Sequence, residues 1–180
     1  MALDPTVRAQ LLALARQALE ARVRDQQAPE VPEQLNVPAS GLFVTINHAG
    51  QLRGCLGTLS AEQGLAEATT RLAGDVSRDD HRFRPVTPGE LDDITIDLSV
   101  LTPTERVDDP ATIEVGRHGL IVQQGGRRGL LLPQVATEHG WDRETFLAQT
   151  CVKAGLPPDA WRRGATVYRF EADVFSEEDE

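Results

Sequence analysis

Residues 41–59 read Gly41-Leu42-Phe43-Val44-Thr45-Ile46-Asn47-His48-Ala49-Gly50-Gln51-Leu52-Arg53-Gly54-Cys55-Leu56-Gly57-Thr58-Leu59. Gly41 to Asn47 is rich in β-branched and aromatic residues, and Asn47-His48-Ala49-Gly50 supplies a turn before Gln51-Leu52-Arg53 resumes the strand. A hairpin pairs its strands antiparallel, so this stretch points to an antiparallel sheet. It is also the stretch that looks built for chemistry, because Gly50 to Leu59 gathers Cys55, Arg53 and glycines 50, 54 and 57. Gly54 and Gly57 carry no Cβ and open space around the Cys55 thiol, while Arg53 supplies charge.

Upstream, Asp4-Pro5 is a helix start followed by Val7, Leu11, Leu14, Ala15, Ala18 and Leu19 at spacings of three and four, which predicts an amphipathic helix to about Asp25. Gln26 to Ser40 holds Pro29, Pro32 and Pro38 without periodicity and reads as a crossing or loop, of a length that often joins two lobes. Downstream, Ser60-Ala61-Glu62-Gln63 has the spacing of a capping box and predicts a helix through Leu65, Ala68, Leu72 and Val76. Cys55 is therefore expected between a strand and a helix start, where the first turn's positive potential favours a thiolate. Asp79-Asp80-His81-Arg82-Phe83-Arg84-Pro85-Val86 is a charged loop beyond that helix, and Thr87-Pro88-Gly89-Glu90 is the next start signal.

Ile94, Ile96, Leu98 and Val100 alternate with Thr95, Asp97 and Ser99, the pattern of a half-buried strand. Gly119 to Gln124 and Gly129 to Leu132 form a second hairpin through Gly125-Gly126-Arg127-Arg128. Asp142 caps a helix through Phe146, Leu147 and Val152 that ends at Gly155, and Thr166 to Phe175 is a last strand with Tyr168, Phe170, Ala172 and Val174 on one face. The fold class is α+β: a mainly antiparallel sheet flanked by helices, in two lobes, the smaller built around the Cys55 hairpin at about 41–86. One domain is expected over 1–175, with 176–180 a disordered acidic tail.

The 180 residues suffice for one ordinary domain, and the 40% hydrophobic content agrees. A formal net charge of −10 argues against nucleic-acid binding, which needs a concentrated basic surface. No apolar run reaches the roughly 20 residues that span a bilayer. Two cysteines 55 and 151 residues along give neither a disulfide framework nor a metal-ligand spacing, so a cytoplasmic setting is expected, with no metal and no cofactor.

Cys55 reads as a nucleophile or carrier thiol, against the plainer reading of a small buried hydrophobe. Arg53, on the same face of an extended strand at i−2, reads as an anion-binding fork or as half of a structural ion pair with Asp80 or another acid. His81 joins Cys55 and Arg53 as a candidate catalytic residue, and Gly54, Gly57, Asp80 and Arg82 are candidate substrate-binding residues. The amides near Gly54 to Gly57 are candidate oxyanion donors. His48, His118 and His139 read as solvated or structural, Cys151 as core, and Arg127-Arg128 as solvated charge at a hairpin tip.

Leu52-Arg53-Gly54-Cys55-Leu56-Gly57 closely resembles the Leu-Arg-Gly-Cys-Ile-Gly signature of the AMMECR-one domain family, called in prokaryotes AmmeMemoRadiSam system protein A. The resemblance extends through Gly41 to Thr45, through Asp80 to Val86 with His81 and Arg84 in place of prolines, and through Gly129 to Val135, Gly140-Trp141 and Lys153 to Leu156. It implies a two-lobed α+β fold, a cytosolic location, and Memo-like and radical-SAM proteins as functional neighbours. It implies no settled reaction. The expectation is an enzyme or enzyme component that uses the Cys55 thiol with Arg53 on a small anionic or electrophilic substrate. The alternative is a non-catalytic module whose Arg53-Gly54-Cys55 segment forms a recognition groove for a ligand or protein.

Overall fold

In the computed structural model, which describes residues 2–179, the chain divides into two compact units, residues 1–101 with 173–180, and residues 102–172. The first begins with helix α1 (Pro5–Val23), whose cap Asp4 accepts a hydrogen bond from the Thr6 amide. Its Leu11, Leu14, Ala15, Ala18 and Leu19 are buried, as their spacing predicts. Strands β1 (Gly41–His48), β2 (Gln51–Thr58) and β3 (Ile94–Leu101) form an antiparallel sheet with β1 in the middle. Leu42, Val44 and Ile46 of β1 and Ile96 and Leu98 of β3 are fully buried and share one core with α1 and with helix α2 (Leu65–Asp75). Phe43, Thr45 and Asn47 alternate with that set and project from the opposite face.

The capping box at Ser60 does not start α2. The helix begins at Leu65, and residue 36 caps it from outside: the Asn36 carboxamide accepts from the Glu67 amide and donates to the Gln63 carbonyl. A capping residue from a distant segment leaves no local spacing to read. The capping pair at Thr87 and Glu90 does form, on a short 3₁₀ turn over Pro88–Asp93.

The expected lobe boundary is also corrected. The Cys55 hairpin belongs to the larger unit, because its central strand lies over the same core as α1; the chain leaves that unit at Leu101 and returns at Asp173. Glu177, expected in a disordered tail, lies in a 3₁₀ turn, pairs with Arg16 at 2.6 Å and accepts from the Ile96 amide at 2.9 Å. Glu180 lies outside the described residues.

The second unit contains β4 (Glu105–Arg106), β5 (His118–Gln124), β6 (Arg127–Leu131), α3 (Pro133–His139), α4 (Arg143–Lys153) and most of β7 (Thr166–Ser176), with β5 pairing antiparallel to both β6 and β7. Asp142 caps α4 by accepting from the Thr145 amide. Leu120 and Val122 pack with Phe146, Leu147, Cys151 and Val167 in a separate core. In β7 the buried residues are Val167, Phe170 and Phe175, while Val174 is exposed, so the single apolar face expected from 168 to 174 does not form.

Candidate functional site

The position of Cys55 follows from one irregularity in the hairpin. Ala49 and Gly50 take positive φ values of 50° and 80°, making a two-residue turn in which His48 opposes Gln51. Continued without interruption, that register would set Cys55 opposite Val44, on the core face. Instead Ile46 opposes Gly54 while Asn47 opposes Leu52, which makes Arg53 the extra residue of a bulge. Beyond it Cys55 opposes Thr45 and turns away from the core, since a one-residue slip exchanges the faces of a strand.

The same bulge corrects the expectation that Arg53 flanks the thiol. Leu52, opposite Asn47, shares the face of Cys55 and is exposed, whereas Arg53 is re-aimed to the 3₁₀ turn. Its Nε donates to Glu90 Oε1 at 2.9 Å, and its Nη2 donates to Glu90 Oε2 at 3.3 Å and to the Pro85 carbonyl at 3.4 Å. The guanidinium fork therefore already holds a carboxylate of the chain. Glu90 is held down to about 2, chiefly by the Arg53 hydrogen bond, which outweighs its burial with help from the Thr87 amide and hydroxyl.

Cys55 is half-buried and free, and the Thr45 hydroxyl donates to its Sγ at 3.3 Å. Thr45 opposes Asp97 on its other side, so Cys55, Thr45 and Asp97 form one row across the three strands. Asp97 accepts from the Asn47 carboxamide at 2.8 Å. Neither Thr45 nor Glu90 was among the site residues read from the sequence. The two-residue turn would have pointed to a cross-strand partner of Cys55, but the bulge shifts that partner from Val44 to Thr45.

Asp80 is buried beside the free edge of β2 and joins the site together. Its Oδ2 accepts from the Cys55 amide at 2.9 Å and from Arg82 Nη2 at 2.7 Å, and its Oδ1 accepts from Arg82 Nε at 2.9 Å. These bonds, Arg82's first and then, against burial, those of the Cys55 and Arg82 amides, hold the Asp80 carboxyl well below the usual carboxylate range. The Arg82 guanidinium is raised by Asp80 first, with a smaller Coulombic contribution from Cys55. It remains 62% exposed, with Phe83 beneath it, its guanidinium carbon 5.4 Å from the ring centroid. His81 is exposed and Arg84 beside it likewise.

Two further expectations are revised. The Cys55 amide is engaged by Asp80, and those of Gly54 and Leu56, by the alternation of an antiparallel ladder, face β1, so these three form no oxyanion cradle. Cys55 lies within β2 rather than at a helix start. The part of the α2 segment next to the strand is its C-terminal cap: a Cβ on buried Gly54 would lie 3.2 Å from the Val76 carbonyl oxygen. The positive end of that helix is not the end beside the site. Gly57 is exposed to solvent but lies under the Phe43 ring, 2.3 Å from where its Cβ would be. Among the described residues no group of three or more His, Cys, Asp or Glu is placed to hold a metal ion, and no helix is long and apolar enough to cross a membrane.

Helices and antiparallel ladders with this thiol-bearing, bulged hairpin define the class as an α+β domain of the AMMECR-one type. The model of the AMMECR1 family matches residues 12–175. A Thermococcus kodakarensis protein is 48% identical over 182 residues, covering 93% of this chain and 89% of its own length. A Methanothermobacter thermautotrophicus protein is 46% identical over 178 residues, covering 93% of each. The crystal structure of an uncharacterized Pyrococcus horikoshii protein matches with a TM-score of 0.87 at 42% identity, over 98% of this chain and 94% of that one. The chain belongs to the AMMECR1 family.

Proposed function

We propose that the protein is an enzyme, or an enzyme component, in which the Cys55 thiol reacts with a small electrophilic substrate. The observation that carries this reading is the bulge at Arg53, which turns Cys55 out of the core and against the Thr45 hydroxyl. A hydrogen-bonded side chain opposite its partner occupies one rotamer, and an oriented nucleophile reacts with less loss of freedom than a mobile one. Arg53 serves this reading as a structural residue: its pair with Glu90 holds the bulge that sets the register. The resemblance at Leu52 to Gly57 and Asp80 to Val86 extends the proposal to a cytoplasmic role in an AmmeMemoRadiSam system, beside Memo-like and radical-SAM proteins.

A second reading rests on exposed Leu52, which shares the Cys55 face and would suit a non-catalytic module that binds a ligand or protein through that surface. Complementation of a gene deletion by Cys55→Ser separates the two. The catalytic reading expects a variant that melts like the parent and does not restore the deletion phenotype. Full restoration by the serine variant overturns it in favour of the binding module.

A further inference from the structure

The cation joined to Cys55 through a shared carboxylate is Arg82, not Arg53, which is closer to it in the sequence. Arg53 has both Nε and Nη2 on Glu90, and its side chain is only 15% exposed. Arg82 gives Nε and Nη2 to Asp80 but keeps 62% of its side chain in solvent, so the remaining edge of its guanidinium is open. One Asp80 oxygen accepts both the Cys55 amide and Arg82 Nη2, which places the guanidinium within two hydrogen-bond lengths of the cysteine backbone. The Phe83 ring under the guanidinium restricts it further, as cation–π contacts do.

Neighbouring charge reinforces the arrangement. His81 and Arg84 flank Arg82 on the same loop and are exposed, and Arg84 forms no ion pair among the described residues. Against them stand Asp79, which is also exposed, and Asp80, whose carboxylate is directed inward to the strand edge and to Arg82. In a chain with a net charge of −10, a loop whose two arginines offset its two aspartates is a local exception.

Resting on the reading of Cys55 as the reacting thiol, we infer that Arg82 is the anion-binding residue of this site. The electrophile that Cys55 takes then carries a carboxylate or a similar small oxyanion close to its reacting atom. A planar fork suits such a group, and Asp80 acts as the positioning residue that holds the fork to β2.

The test compares two alkylating probes with the same leaving group, anionic iodoacetate and neutral iodoacetamide. In each, a bond forms from Cys55 sulfur to the methylene carbon, the carbon–iodine bond breaks with its electron pair leaving as iodide, and the thiol proton passes to buffer. Modification is followed by mass spectrometry of the Cys55 peptide. The expected ratio of iodoacetate to iodoacetamide rates is about 5- to 10-fold higher than for a free peptide of residues 50–59, and it falls toward the peptide's value in ~0.5 M salt. Arg82→Gln lowers the ratio similarly, and Arg82→Lys retains part of the preference. A parent ratio equal to the peptide's, or one indifferent to salt, overturns the inference without recourse to a variant. If iodoacetamide reacts normally in that case, only the anion site is lost; if neither reagent modifies native Cys55, the thiol reading falls with it.

Discussion

Asp80 carries more of this site than any other side chain. It is buried, and its charge is satisfied by one guanidinium and by two backbone amides. Asp80→Asn would leave Arg82 and the Cys55 amide without a charged acceptor and is expected to cost about 2–3 kcal/mol in urea unfolding. Glu90 gives a pH signature. Its carboxyl is depressed to about 2 from an ordinary 4.5, so its contribution is complete above about pH 4.5 and is lost as pH falls through about 2. Acid titrations of stability should therefore flatten in that window for Glu90→Gln. His118 behaves with the same sign higher up: burial lowers its basicity, with Arg169 and Arg117 adding to the effect, and its Nδ1 accepts from the Glu114 amide. The neutral ring is the folded form, so its contribution is complete above the ordinary value of 6.5 and declines as pH falls below it.

At the scale of elements, the β1–β2 hairpin combines a strained turn, a bulge and an aromatic–glycine pair. Ala49 adopts a φ of 50° that a Cβ disfavours, so Ala49→Gly or Ala49→Asn should raise stability by ~0.5–1 kcal/mol. Phe43 covers Gly57 across the ladder, and Phe170 covers Gly119 in the same way in the second unit, where a Cβ would lie 2.2 Å from the ring. Gly57→Ala and Gly119→Ala should each cost about 1–3 kcal/mol in denaturant unfolding, and Phe43→Leu should relieve part of the first. The longer strands, the first helix and α4 were legible because each carries its own periodicity or cap, whereas the two-residue β4 carries neither. The start of α2 was not, since its cap comes from Asn36, and α3 was missed because seven residues from Pro133 present too short a pattern. The bulge had no local signal either: Arg53 is set apart by a Glu90 pair formed across 37 residues of sequence.

At the scale of the whole molecule, two separate cores account for the two cysteines' different environments. Cys151 is fully buried between Phe146, Leu147 and Val167, and burial raises its thiol, while Cys55 is half-buried on the sheet face. A disulfide reagent such as dithionitrobenzoate should titrate one thiol per native chain and two after unfolding, with the native one absent in Cys55→Ser. The signature and the charged loop were legible in the sequence, because both stand out there. Their pairing was not: Arg53 and Arg82 are chemically alike in the sequence, and only the register and the two acids, Glu90 and Asp80, separate a structural cation from one open to solvent. The division into units was equally hidden, since it depends on which strands share a core rather than on a proline-rich crossing.

The most direct measurement of the central claim is the second-order rate of iodoacetamide with native Cys55, set against the free peptide of residues 50–59 at the same pH and salt. A thiol oriented by Thr45 should react about tenfold faster than the peptide. A native rate equal to or below the peptide's would contradict a reacting Cys55.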